Sequence, residues 1–262
     1  MKGLGAWGWK LAAWGWALVV ALTASPLSAQ TLDARIRAAV APNGITWVGY
    51  KMPKIPGDRT MCGGSDHERT TRIVLEGPRE IEVLARFENG TMTRLRAVTS
   101  DCEIDPSGAT LVWVNGVSAA DSTAWLSALI AQPPAAAKVV DPALAVLSMQ
   151  AGDEAAAALV SVAKSGSVAR VRGQALFWLA QRAGTVALPT IANAVDNDPE
   201  TEVKRKAVFA LSQLPKDEGV PKLIELARTN KNAEVRKQAF FWLGQSKDPR
   251  AVAFFEEVLL KR

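Results

Sequence analysis

Val171-Arg172-Gly173-Gln174-Ala175-Leu176-Phe177-Trp178-Leu179 returns as Val203-Lys204-Arg205-Lys206-Ala207-Val208-Phe209-Ala210-Leu211, and again as Val235-Arg236-Lys237-Gln238-Ala239-Phe240-Phe241-Trp242-Leu243, each time after 32 residues. A fixed step of this size marks a stack of like units, none of which can bury its apolar face alone. The downstream segments keep the step: Leu188, Pro189 and Ile191 become Val220, Pro221 and Leu223, then Val252, Ala253 and Phe255. One step upstream, Val139, Ala143, Leu147 and Leu159 occupy the corresponding places. The register therefore predicts four units over 137–262. Each holds two stretches of helical apolar spacing around a polar turn, at Gln181–Gly184, Pro215–Gly219 and Ser246–Pro249. Each is read as a helical hairpin, with Pro189 and Pro221 in the first turn of the second helix, where a missing amide hydrogen costs nothing. The first helices are apolar almost all round, as sandwiched helices must be.

The frame Val-Arg/Lys-x-x-Ala-x-x-x-Leu, with acidic turns at Asp217-Glu218 and Asp248-Pro249, resembles HEAT-like repeats, in particular the short type found in phycobilin lyases and many bacterial proteins. The resemblance covers about half the chain and implies an α-solenoid. The family hosts scaffolds, adaptors and a few lyases, so the frame implies no chemistry and brings no active-site residue with it.

Upstream of the repeats the periodicity changes. Glu80–Phe87 and Thr91–Val98 alternate around Asn89-Gly90, a preferred hairpin turn. Ile45–Met52, Thr71–Leu75 and Thr110–Val114 read as further strands, Ser122–Ala131 as an amphipathic helix and Leu32–Val40 as a short helix. The fold class is thus α+β: a small disulfide-linked α+β domain over 30–132, a hinge at Gln132-Pro133-Pro134, and a four-unit α-α (HEAT-like) solenoid over 137–262. A length of 262 residues agrees with two domains at roughly 150 each. This arrangement resembles that of exported bacterial proteins in which an N-terminal domain precedes HEAT-like repeats.

The first residues give the compartment. A basic start, an apolar stretch from Leu11 to Leu22 and small residues up to Ala29 match a secretory signal peptide over 1–29, cut after Ala29. The expected location is periplasmic or secreted, with a membrane tether as the alternative if the segment stays uncleaved. Lys2 and Lys10 leave with the signal, which takes the formal charge from +5 to about +3. The remaining basic residues are scattered among acids, so no nucleic-acid partner is expected.

One histidine, one tyrosine and two cysteines leave little material for metal cages or catalytic triads. No catalytic residue, metal or cofactor is expected, and the chain is read as not an enzyme. Cys62 and Cys102, forty residues apart in an exported chain, are expected to pair. His67, in Gly63-Gly64-Ser65-Asp66-His67-Glu68, and the alternating Asp101, Glu103 and Asp105 are the places where an acid-base or divalent-cation role is conceivable; each reads more simply as a solvated loop. In the repeats, positions away from the core form a ladder, Ala158, Thr190, Lys222, Phe254, beside Ser161, Asn193, Glu225, Glu257. Such ladders line the concave face of solenoids. Thr190, Asn193, Lys222, Glu225, Phe254 and Glu257 are therefore the expected partner-binding residues, and Phe254 with Phe255 is expected to leave an apolar end. The function read from these features is a protein-binding scaffold or adaptor of the bacterial cell envelope. The alternatives are a lyase-like enzyme or assembly factor with a site between the domains, and a membrane-tethered regulator.

Overall fold

Asn89 and Gly90 take left-handed backbone angles, φ 47° and 77°, the pair a tight hairpin turn demands. They join β2 (Glu80–Glu88) to β3 (Thr91–Thr99) in a computed structural model that describes residues 30–56, 61–62, 79–132, 137–182 and 184–260. The expected signal segment, His67, the strand expected at Thr71–Leu75 and most of the expected hinge lie outside the described residues. β1 (Ile45–Pro53) pairs antiparallel with β2 on one side and parallel with β4 (Thr110–Trp113) on the other, giving the order β3-β2-β1-β4. Alternation sends Val48, Tyr50, Met52, Ile81, Val83, Leu95 and Ala97 to one face, where all are buried. On the other face Trp113 lies across Gly49, where an added Cβ would come within 2.8 Å of the indole.

Ten helices accompany the four strands among the described residues: α1 (Leu32–Ala38), α2 (Ala119–Ala131), α3 (Ala137–Met149), α4 (Asp153–Ser165), α5 (Ala169–Arg182), α6 (Ala187–Asn197), α7 (Thr201–Ser212), α8 (Lys216–Thr229), α9 (Ala233–Gln245) and α10 (Pro249–Leu260). The last eight form the four expected hairpins. First helices α3, α5, α7 and α9 stack on one another, and second helices pack across them. The mixed α+β class with a solenoid of helices is the observed one. Among the described residues no helix is long and apolar enough to cross a membrane.

The first-helix Val-Arg/Lys pair shows why the repeat keeps that motif. The valine is buried in the stack at Val171, Val203 and Val235. The neighbouring cation reaches back to the end of the preceding second helix: Arg172 donates to Gly166 O (2.9 Å), Lys204 to Asp196 O (2.6 Å) and Arg236 to Asn230 O (2.7 Å). A cation at the negative end of a helix satisfies carbonyls that the helix leaves unpaired.

Two features depart from expectation. The stretch Pro215–Gly219 is not wholly turn: α8 begins at Lys216, because Lys216, Asp217 and Glu218 form its first turn with acidic residues at the positive end. Pro221 therefore stands in the helix interior rather than at its start. Second, the helix that opens the first unit, α3, lies against β3 as well as α2 and α5. One continuous apolar core thus runs from the sheet to the last unit.

The sheet and α3 are also joined by polar groups. Ile55 N donates to Met149 O and Ala151 N to Pro53 O, both at 2.8 Å. Beneath them, Tyr50 Oη and Ser122 Oγ are 3.0 Å apart, Ser122 donates to Gln150 Oε1 (2.8 Å), and Gln150 Nε2 donates to Thr123 Oγ1 (2.9 Å) and Ala119 O (3.0 Å). Burial pushes the Tyr50 phenol above its usual range, against the Ser122 hydrogen bond, so it stays neutral. Gln150, wholly buried, is the hub of this network. Gln150→Leu strands its partners Ala119, Ser122 and Thr123 on α2 and is expected to lower stability by about 1–3 kcal/mol, measured by urea unfolding. An unchanged midpoint would show that the network does not hold the sheet to the helices.

Candidate functional site

α4 is built from Asp153-Glu154-Ala155-Ala156-Ala157-Ala158-Leu159-Val160-Ser161-Val162-Ala163-Lys164-Ser165, mostly alanine and serine on its open side. Small side chains leave room. A cavity of about 420 Å³ lies between α2 and α4, lined by Ser127 and Ile130 of α2, by Ala158, Ser161 and Ser165 of α4, and by the Gly166–Val168 turn. A second, of about 380 Å³, continues from Ser165 and Gly166 to Thr190, Asn193 and Asn197 of α6. The two share Ser165 and Gly166, so one groove crosses three helices. Its polar lining is mostly of hydroxyls and amides, which donate and accept alike, with Lys164, Arg172 and Asp198 added in the second cavity.

The floor of the second cavity contains a buried ion pair. Arg172 Nε donates to Asp198 Oδ2 (2.8 Å) and Nη2 to Oδ1 (2.9 Å), a bidentate fork, with side chains only 10% and 5% exposed. Asp198 Oδ1 also accepts from Glu200 N at 2.9 Å, ordering the entry to α7. Burial raises the carboxyl pKa, but the Arg172 and Glu200 hydrogen bonds and the nearby cations outweigh it and hold Asp198 below the usual carboxylate range. Nothing in this pair is poised to move a proton near neutral pH.

The expected ladder is only partly a surface. Asn193 is exposed and lines the groove. Thr190 forms part of the same wall but is 6% exposed, too buried to serve as the contact residue expected of it. Further along, the ladder closes on itself. Lys222 Nζ donates to Glu225 Oε1 (2.7 Å), and Glu257 pairs with Arg228. Phe254 is corrected outright: it is 2% exposed, packed on Phe240 and Phe255 with the Arg228 guanidinium over its ring, so it is core and not an apolar end. Sequence reading missed Ser165 and Asn197. They stand one turn after Ser161 and Asn193 in the same register, so extending the ladder by four residues finds them. Ser127 lies outside the repeat register and carries no such signal.

In the sheet region Cys62 and Cys102 form the expected disulfide, with Cα atoms 5.4 Å apart. Asp105 is spent on the amide of Ser107 (2.7 Å). Among the described residues, the cluster of potential metal ligands is Cys62, Asp101 and Cys102, and its two sulfurs are bonded to each other. That donor set does not fit a metal ion.

The family model for HEAT repeats matches residues 188–262. The last units are therefore HEAT repeats in sequence as well as in form. No curated protein matches. Among solved structures, the chain is similar to one chain of the complex of CpcE and CpcF of phycocyanin lyase from Nostoc sp. PCC7120, at 20% identity and a TM-score of 0.40, over 54% of this chain and 90% of that one. This likeness is one of repeat frame and transfers no residue role. It does correct one expectation. The chain was read as not an enzyme, yet a comparable frame occurs in a lyase complex, so the architecture gives no ground for excluding catalysis.

Proposed function

We propose that this chain is a protein-binding HEAT-repeat module that holds an extended segment of a partner along the groove formed by α2, α4 and α6. The observation that carries the reading is the pair of adjoining cavities sharing Ser165 and Gly166, whose serine, threonine and asparagine side chains pair equally with peptide N–H and C=O groups. We further propose that the protein acts outside the reducing cytosol, as an exported chain. The reading of residues 1–29 and the Cys62–Cys102 disulfide support this.

A photo-crosslinking residue placed at Ser161 or Asn193 of the full chain in a Gram-negative host tests the groove. The expected result is a defined protein adduct from both positions, absent from the same probe at exposed Arg205, and lost from the Asn193 probe when Ser161→Arg fills the groove. Adducts of equal yield from Arg205, or insensitive to Ser161→Arg, overturn the proposal. N-terminal sequencing of the exported product is expected to begin at Gln30. An intact Met1 on membrane-bound protein would instead make the chain tethered.

A further inference from the structure

β3 and β4 lie at opposite edges of the sheet, and residues 100–109 alone join them, so this connection must cross β2 and β1. The inner face of the sheet is filled by the core, and the connection passes over the outer one. There the strand register sets Leu84 opposite Arg96 and Trp47 beside Leu111. Between these side chains and Glu103–Ser107 of the connection lies a cavity of about 270 Å³, just below the ordinary range of small-molecule sites. Cys62 lines it too, and the bond to Cys102 fastens the connection where it leaves β3.

Two unpaired charges of opposite sign line this cavity. Arg96 rises from the apolar floor and is half-buried; Glu103 belongs to the overlying connection and is exposed. Among the described residues neither makes a hydrogen bond or an ion pair, with the other or with any third group. Guanidinium groups drawn in from the surface elsewhere are satisfied: Arg172 by Asp198, Arg182 by the Gln150 carbonyl and Arg236 by that of Asn230. The remaining charged group of the lining, Asp105, holds the Ser107 amide. Arg94, two residues before Arg96 on the same face, stands directly opposite Arg86, whose partner is Glu88. Like charges opposed across two strands are destabilising, and they leave the Arg96 side of the cavity attractive to an anion.

We propose that this cavity binds a free amino acid with an apolar side chain, its carboxylate in the Arg96 fork, its ammonium group at Glu103 and its side chain against Trp47, Leu84 and Leu111. A simple anion would meet Glu103 and Asp105, and a simple cation would meet Arg96. A ligand that carries both charges on one carbon answers both walls, and the apolar floor takes the rest of it. The guanidinium fork matches a carboxylate with two parallel hydrogen bonds. The cavity shares no lining residue with the α2–α4–α6 groove, and the two proposals stand or fall separately.

The test is a titration of the full chain with L-leucine and with L-phenylalanine, followed through the Trp47 indole resonance. The N-acetyl derivative of the tighter binder, which lacks the ammonium charge, and its amide, which lacks the carboxylate, serve as probes with the same side chain. A saturable shift is expected with at least one amino acid, and at least about tenfold weaker binding of both derivatives, the scale of a lost charge-assisted hydrogen bond. Arg96→Gln is expected to abolish the shift and Glu103→Gln to weaken binding about tenfold. Arg94→Gln, on the same face but outside the lining, is expected to weaken it no more than about threefold, because solvent screens a charge that makes no contact. No saturable shift, equal binding of either derivative, or unchanged binding in Arg96→Gln or Glu103→Gln overturns the proposal. A loss in Arg94→Gln as large as that in Arg96→Gln does so as well, since it would put the ligand on the open sheet rather than in the cavity.

Discussion

Replacing Asp198 by Ala is expected to lower the unfolding free energy by about 3–5 kcal/mol, because it leaves a guanidinium buried without its partner. Arg172 is 10% exposed, so only from the cavity side can water reach the place of the lost carboxylate. The Asp198 hydrogen bond to Glu200 N is lost too, and with it the order at the start of α7. The double variant Arg172→Met, Asp198→Ala separates causes: with neither charge present, most of the loss is expected to return. By contrast, breaking the Arg205–Glu202 pair, 48% and 57% exposed, is expected to change stability by no more than about 0.5 kcal/mol. Urea unfolding of the three variants checks this; a cost for Asp198→Ala as small as the surface value would refute it. The pair also sets an acid limit. The Asp198 carboxyl titrates below its unfolded value, so its stabilisation is fully present above the ordinary aspartate range, roughly pH 4, and is lost as pH falls through the folded value. Asp248, drawn down to about 2 by Arg250, adds to the same acid-side loss.

Reducing the Cys62–Cys102 bond, or replacing both cysteines by Ala, is expected to cost up to about 4 kcal/mol, the chain-entropy value for closing a loop of this length. The bond spans 40 residues and ties the segment at Met61–Cys62 to the turn after β3. Two hydrogen bonds, Thr99 N to Met61 O and Met61 N to Thr99 Oγ1, both 3.0 Å, hold the same segment and are expected to loosen with it. Because the sheet and the helices share one core, the loss is expected to appear in the unfolding of the whole unit from Thr31 to Arg262 rather than in the sheet alone. Denaturation with and without a reducing agent measures it. A midpoint indifferent to reduction would mean that the link restrains nothing the fold does not already restrain.

The legible part of this protein is what repeats or turns locally. Val171, Val203 and Val235 lie one step apart because each must enter the same stack, and their burial follows. Asn89-Gly90 was readable because few residues tolerate the left-handed angles of that turn. Pro221 misled, since a proline at the same register as Pro189 suggested a helix start, while the three charged residues before it extended α8 upstream. The ladder misled in a different way. Asn193 and Phe254 are both inner-face positions by period, yet one lines a groove and the other is packed beneath Arg228.

The repeat step, the hairpin, the helical units and the pairing of two cysteines follow from local chemistry and spacing, because each depends on residues close in sequence or on the only partner available. Which inner-face positions are open, and that α3 leans on the sheet, are set by contacts between residues about thirty or more positions apart. Periodicity tells which way a side chain faces within its own helix. What it faces depends on the side chains the neighbouring units bring to the same space, and those are chosen only when the units close on one another.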